Sequence, residues 1–368
     1  MTRVHRASDL LEPNNLRWFF LAKSWLDDFF LSVRDDTKLL TRLAAALSGW
    51  GPDEPQRFSE PLFPERRPLR VPALEGKRIA LVASGGSGAT ASLCGVRRAF
   101  EEADLQVVVL SACSGSMLFA SLWAAGFDAE QMGRFWLGVK RRDYLDPDHT
   151  KLWQAAWRGF SRFGGLMPGD ALESTLKRIL GDMTLAQTRV PVSAVVWNID
   201  ENRVEHLGSD TTPELTLARA ARAAVSIPVF FEPVQLGQHL YGDGGIVDIF
   251  PIAALQMHQP IDVVFGVNCY LAEDFSSEDI TGWRNRRFAI LRASGQLRFS
   301  GLLQLAREHA AALGERLILL TPVSHNEVRG AHFYDSFIDR RDWPRYMRQG
   351  YECTRAKLES IARSGLSA

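Results

Sequence analysis

The stretch VVVLSACSGSMLFASLWAAG, residues 107–126, decides how the chain is read. Four apolar residues, three of them β-branched, run into small residues and then into a helical pattern. β-Branched runs favour a strand, and the following segment has the apolar spacing of a buried helix. Ser114 therefore stands at a strand-to-helix corner. Two readings stand for it. A corner of this kind can present a reactive hydroxyl, and it can equally use serine because only a small side chain fits a crowded bend.

Working outward, similar short apolar runs recur with helical stretches between them: RIALVAS (78–84), VPVSAVVW (190–197), HLYGD (239–243), DVVFGVNC (262–269) and RLILLTP (316–322). That alternation predicts an α/β fold, a sheet carrying helices on its faces. Before it, residues 1 to about 75 are helical in pattern up to Trp50. They then pass through the Pro-rich connection GPDEPQRFSEPLFPERRPLRVP (51–72), which marks a linker or an extended wrap. The expected organisation is a helical extension and linker over 1–75 and one domain over 76–360.

The 368 residues are 46% hydrophobic, enough for a large core. Lys plus Arg and Asp plus Glu both number 43, so no net field draws the chain to nucleic acid. Cys94, Cys113, Cys269 and Cys353 form no CxxC pair, which argues against a zinc site or a disulfide scaffold. No Asp/Glu/His cluster has calcium or zinc spacing, and no metal or cofactor is expected. The opening residues lack an apolar signal-peptide segment, and no run reaches the roughly 18 apolar residues needed to span a bilayer. A cytoplasmic location, with contact at a membrane periphery left open, is the expectation.

The strand at 78–84 ends in Gly85-Gly86-Ser87-Gly88. Glycines at a strand-to-helix turn leave backbone N–H groups aimed at an incoming anion. A dinucleotide would also need a carboxylate at the end of the next strand, and that strand ends at Ser111 and Ala112. A P-loop would need a lysine after the glycines. An oxyanion hole is the better use of this turn. Around Ser114 the frame Ala112-Cys113-Ser114-Gly115-Ser116 is similar to the nucleophile elbow G-x-S-x-G with small residues at the outer positions. Later, Asp243-Gly244-Gly245 closes a strand, a pattern that by itself is an ordinary Asp-Gly turn.

In this order, the Gly-rich turn, the serine elbow and the Asp-Gly-Gly resemble the patatin-like phospholipase family. Ser226, Pro228, Phe231 and Pro233 fall where that family approaches its aspartate loop, and RQGYECTRAKL (348–358) looks like its closing helix. The resemblance implies a three-layer α/β/α fold and a Ser–Asp dyad without histidine, with Ser114 as nucleophile and Asp243 as base. It implies an oxyanion hole from the amides of Gly85, Gly86, Ser87 and Gly88, and hydrolysis of a lipid ester (phospholipid, lysophospholipid or acylglycerol). The departures are Ser87, Ala89 and Thr90 at the first turn, and Ala112 and Ser116 at the elbow. They leave open a second reading, a patatin-fold protein of low or no activity that binds acyl groups or a partner.

Three segments suggest lipid contact. In residues 14–33, Trp18, Leu21, Trp25 and Phe29 form a stripe, for which packing on the domain is favoured over a lid or bilayer contact. Trp153, Trp157 and Phe160 form a second stripe, and residues 283–301 are Arg-rich, a pattern commoner on a solvated helix face than at phosphate headgroups.

Overall fold

The computed structural model describes residues 36–47, 61–150, 164–257, 260–271 and 289–365. The stripes at 14–33 and at Trp153, Trp157 and Phe160 lie outside the described residues, as does 283–288 of the Arg-rich segment.

In chain order the elements are α1 (Lys38–Leu47), β1 (Ile79–Ala83), α2 (Ser92–Glu102), β2 (Val107–Cys113), α3 (Gly115–Ala125), α4 (Ala129–Gly138), β3 (Gly165–Met167) and α5 (Asp170–Leu180). Then follow β4 (Val192–Asn198), β5 (Arg203–Leu207), α6 (Leu217–Ala224), β6 (Val229–Phe231), β7 (Val234–Leu236), β8 (His239–Asp243) and β9 (Val263–Val267). The chain closes with α7 (Ala289–Leu313), β10 (Leu317–Leu320), α8 (His325–Val328), α9 (Ala331–Ile338) and α10 (Trp343–Ser364). All six apolar runs read as strands are strands. The three-residue β3, β6 and β7 had no comparable signal, because three residues of alternation do not stand out from a loop, and β5, RVEHL, is too polar to form an apolar run.

The main sheet runs β10-β9-β1-β2-β4-β8-β7, with β5 on the other edge of β4. Strands β10, β9, β1, β2 and β4 are mutually parallel, and β5, β7 and β8 join antiparallel. Parallel central strands are covered on both faces, and β1 shows the consequence. Ile79, Leu81 and Ala83 point into one apolar layer with Phe100, Leu122 and Trp123, while Ala80 and Val82 point into another with Phe250, Leu302 and Leu303. That is the three-layer α/β/α arrangement expected from the sequence. On the larger layer α10 crosses α2 at Gly95 and Gly350. A Cβ on Gly95 would collide with the backbone of Met347 and Tyr351, and one on Gly350 with the Ser92 carbonyl.

Candidate active site

Ser114 follows β2 and precedes α3 with φ 51° and ψ −132°. A side chain bearing a Cβ rarely adopts this left-handed backbone, and holding it there costs about 1–3 kcal/mol. The turn is tight enough that Gly115 has no alternative, since a Cβ there would lie 2.6 Å from the Gly86 carbonyl oxygen. The outer positions fit for different reasons. Ala112 is fully buried between its strand partners Ala83 and Ala194. Ser116 sends its hydroxyl to the Ser84 carbonyl at 2.6 Å, bridging the elbow to the first turn. A serine in place of glycine thus becomes a tie between the two loops.

The Ser114 hydroxyl does not cap α3. It donates to Asp243 Oδ2 at 2.6 Å, and both residues are buried. The other carboxylate oxygen accepts the Gly245 amide at 2.8 Å, and the Asp243 amide donates to the Ser226 carbonyl at 3.0 Å. Burial pushes the Asp243 carboxyl up to about 7, only partly offset by the hydrogen bonds from Ser114 and Gly245. The neighbouring Cys113 is a poor competitor as nucleophile. Burial, reinforced by the charges of Asp243 and Asp248, holds its thiol well above the ordinary range, and so protonated.

The first turn is narrower in function than its four candidate residues suggested. The Gly85 amide is spent on the Ile249 carbonyl at 2.8 Å, and the Gly88 amide donates to Ser336 Oγ at 3.2 Å. Neither is free to meet an anion. The amides of Gly86 and Ser87 have no protein acceptor among the described residues. Gly85 and Gly88 serve by their lack of a side chain. A Cβ on Gly85 would come within 3.3 Å of Ser114 Cβ, and one on Gly88 within 2.5 Å of the Trp343 indole nitrogen. Gly244 plays a similar part in the aspartate loop, where a Cβ would press on the Val195 backbone.

Two cavities meet at Gly86, Ile227 and Phe333. The first, about 420 Å³, exposes Ser114 and Asp243 beside Ile249, Tyr270 and Leu302. The second, about 620 Å³, is walled by Leu118, Phe119, Trp136, Phe231, Phe337 and Trp343. Phe119 packs against Trp136 at 5.6 Å and Trp343 at 5.7 Å between ring centres. No histidine lines either cavity among the described residues. Nor is there a group of three His, Cys, Asp or Glu suited to a metal ion among them.

Sequence reasoning missed Arg222. It is buried on α6, where burial lowers its guanidinium to about 10, still a cation at neutral pH. It donates to Ser226 Oγ at 2.6 Å and to the carbonyls of Pro168, Gly169 and Glu232. Since Ser226 in turn receives the Asp243 amide, Arg222 anchors the approach to the aspartate loop. Phe333 and Phe337 were also missed, because only folding brings α9 to the dyad.

The family model described as patatin-like phospholipase matches residues 81–255, the region holding the first turn, the elbow and the aspartate loop. Residues 81–255 match the patatin-like phospholipase family. The chain is 25% identical over 152 residues to an uncharacterized protein of Acanthamoeba polyphaga mimivirus, covering 40% of this chain and 50% of that one. It is also 25% identical over 224 residues to a putative patatin-like phospholipase domain-containing protein of Caenorhabditis elegans, covering 59% of this chain and 18% of the relative. The chain thus spans half or less of these two curated relatives. Among solved structures it is similar to VipD from Legionella pneumophila, with 15% identity, a TM-score of 0.46, and coverage of 77% of this chain and 67% of that one.

Proposed function

We infer that the patatin-like domain is a serine acyl hydrolase that cleaves a lipid ester, with Ser114 as nucleophile and Asp243 as its base. The observation that carries this reading is the 2.6 Å bond from the Ser114 hydroxyl to Asp243 Oδ2, at the wall of a cavity that shares Gly86, Ile227 and Phe333 with an apolar one. In the first step Ser114 Oγ attacks the ester carbonyl carbon while its proton passes to Asp243. The developing oxyanion takes hydrogen bonds from the amides of Gly86 and Ser87. Loss of one such donor costs about 10²–10³ in rate. Collapse of the tetrahedral adduct breaks the bond to the alcohol, which leaves with the proton from Asp243. Water then attacks the acyl-enzyme, giving a proton to Asp243, and the fatty acid departs as that proton returns to Ser114 Oγ. The apolar lining of the second cavity suits the acyl chain.

In this reading residues 76–360 form the hydrolase domain and 1–75 an added segment. The substrate is a phospholipid, lysophospholipid or acylglycerol met at a membrane periphery. No helix of the described residues is long and apolar enough to cross a membrane. The test is labelling by a fluorophosphonate, which traps an activated serine. The wild-type chain should label and Ser114→Ala should not. A wild-type chain that stays unlabelled yet binds fatty acid would favour the non-hydrolytic acyl-binding reading.

A further inference from the structure

Helix α9 (Ala331–Ile338) carries three parts of the site. Phe333 lines both cavities, and Phe337 walls the apolar one. Between them, Ser336 gives its hydroxyl to the Phe333 carbonyl at 3.2 Å and accepts the Gly88 amide on the same oxygen at 3.2 Å. The helix thus also holds the end of the first turn. Its eight residues are about two turns, too few to form a stable helix alone, so its place depends on what grips it. One grip comes from α10, where the Trp343 indole donates to the Ser336 carbonyl at 2.9 Å.

The other grip comes from the far end of the chain. Helix α1 packs on α9, and Arg42 reaches Asp335 across 293 positions. Arg42 Nε donates to Asp335 Oδ1 at 2.7 Å and Nη2 to Asp335 Oδ2 at 2.6 Å, a fork on a carboxylate. Nη2 also meets Asp36 Oδ2 at 2.8 Å, while Asp36 Oδ1 takes the Lys38 amide at the start of α1. Hydrogen bonds to Asp335 and then Asp36 hold the guanidinium above its ordinary range, and Arg42 stays a cation. Leu39, one turn earlier, is fully buried in the apolar layer that holds Tyr334 and Ile338 of α9. With Arg42 36% and Asp335 26% exposed, water screens the pair, and its value is in direction more than in strength.

We propose that Arg42 is a positioning residue for the hydrolase site, fixing α9 through Asp335 and with it the two phenylalanine walls and the Ser336 acceptor of the first turn. The proposal rests on the hydrolase reading. It gives the helical segment before the Pro-rich connection a part in substrate selection. Without the fork, α9 keeps Leu39 and Trp343 as neighbours but loses the contact that sets its rotation, because a bidentate pair fixes an angle where apolar packing does not.

The experiment takes the full chain as wild type, Arg42→Ala, Asp335→Ala and the double variant. It reads the ratio of kcat/KM for 4-nitrophenyl decanoate to that for 4-nitrophenyl butyrate. A long acyl chain depends on the Phe333 and Phe337 walls more than a short one does. A variant that merely folds less completely loses active molecules, which lowers both values alike and leaves the ratio where it was. The ratio should fall about threefold to fivefold in each single variant, the scale of a well-formed, partly exposed pair. The double variant should fall no further, because each residue acts through the other. Arg42→Lys keeps the charge without the fork and should lie between wild type and Arg42→Ala. An unchanged ratio in Arg42→Ala, or losses that add in the double variant, overturns the proposal. Should wild type hydrolyse neither ester, the hydrolase reading fails, and hydrogen exchange then judges the grip on α9. Amides of residues 331–338 should exchange faster in Arg42→Ala and in Asp335→Ala than in wild type. Exchange unchanged in either variant overturns it.

Discussion

Cys113 and Asp243 occupy consecutive rungs along one edge of β4, Cys113 opposite Val195 and Asp243 opposite Val196. Strand β5 holds the other edge of β4 over Ala194–Asn198, so β2 and β8 must share the remaining one. β2 runs parallel to β4 and β8 antiparallel, and the two strands therefore end facing each other. Ser114 lies one residue beyond the end of β2. Two side chains 129 positions apart meet because two strands of opposite direction stop on the same edge.

That edge leaves little room, and Gly245 should show it. A Cβ there would lie 2.7 Å from Cys113 Sγ and 3.1 Å from Asp243 Oδ1. Gly245→Ala should lower kcat for a short-chain ester by at least about tenfold, since small displacements of reacting groups are costly. Adding Cys113→Ala removes the sulfur and should restore part of the loss. Steady-state kinetics of the single and double variants decide it, and a double variant no faster than Gly245→Ala would refute the steric cause.

Asp243 should set the pH dependence. Acting as a base it must be ionised, so kcat/KM should rise through a limb near 7, the value to which burial pushes this carboxyl, and level off above it. Stability runs the other way. Between the unfolded value of 3.8 and about 7 the folded chain holds a proton that the unfolded chain has lost. Stability from this group therefore falls as pH rises through that window, by on the order of a few kcal/mol. Denaturation at pH 5 and pH 7.5 should show wild type gaining on Asp243→Asn at the lower pH. A constant gap would mean that the carboxyl titrates normally.

The backbone at Ser114 should separate two variants that both lack the hydroxyl. At φ 51° alanine is strained and glycine is not. Ser114→Gly should be more stable than Ser114→Ala by about 1 kcal/mol. In thermal melts that is a midpoint higher by about 2 °C. Equal melting points would mean that the elbow relaxes once the hydroxyl is gone.

Arg222 satisfies four acceptors at once. Arg222→Met leaves them buried without donors, which should cost about 3–5 kcal/mol. Arg222→Lys keeps the charge but not the planar fork and should fall between. Urea unfolding of the three chains orders them. A methionine variant as stable as wild type would remove Arg222 from the support of the aspartate loop.

Much of the site could be read from local pattern. Ser114, Asp243 and the first turn each sit at a break between an apolar strand run and small residues, and such breaks survive in the sequence because they depend on neighbours only. The division of labour within the first turn could not be read. Gly85 and Gly88 look like oxyanion donors in a string of letters, yet Ile249 and Ser336, each more than 160 positions away, take their amides. Arg222 had no signal either, because a buried cation within an Ala-rich helix is indistinguishable from a solvated one until its acceptors are in place. Phe333 and Phe337 read as ordinary helix residues, and only the docking of α9 makes them cavity walls.

The sequence by itself determined six of the strands, where they break, and which residue types stand at the breaks, since strand propensity, glycine turns and side-chain size act over a few residues. The tertiary structure alone decided that Ser114 faces Asp243 and which amides of the first turn remain unspent among the described residues. Those properties belong to pairings between distant strands and loops, and a hydrogen bond has no trace in the chain until both of its ends share a place.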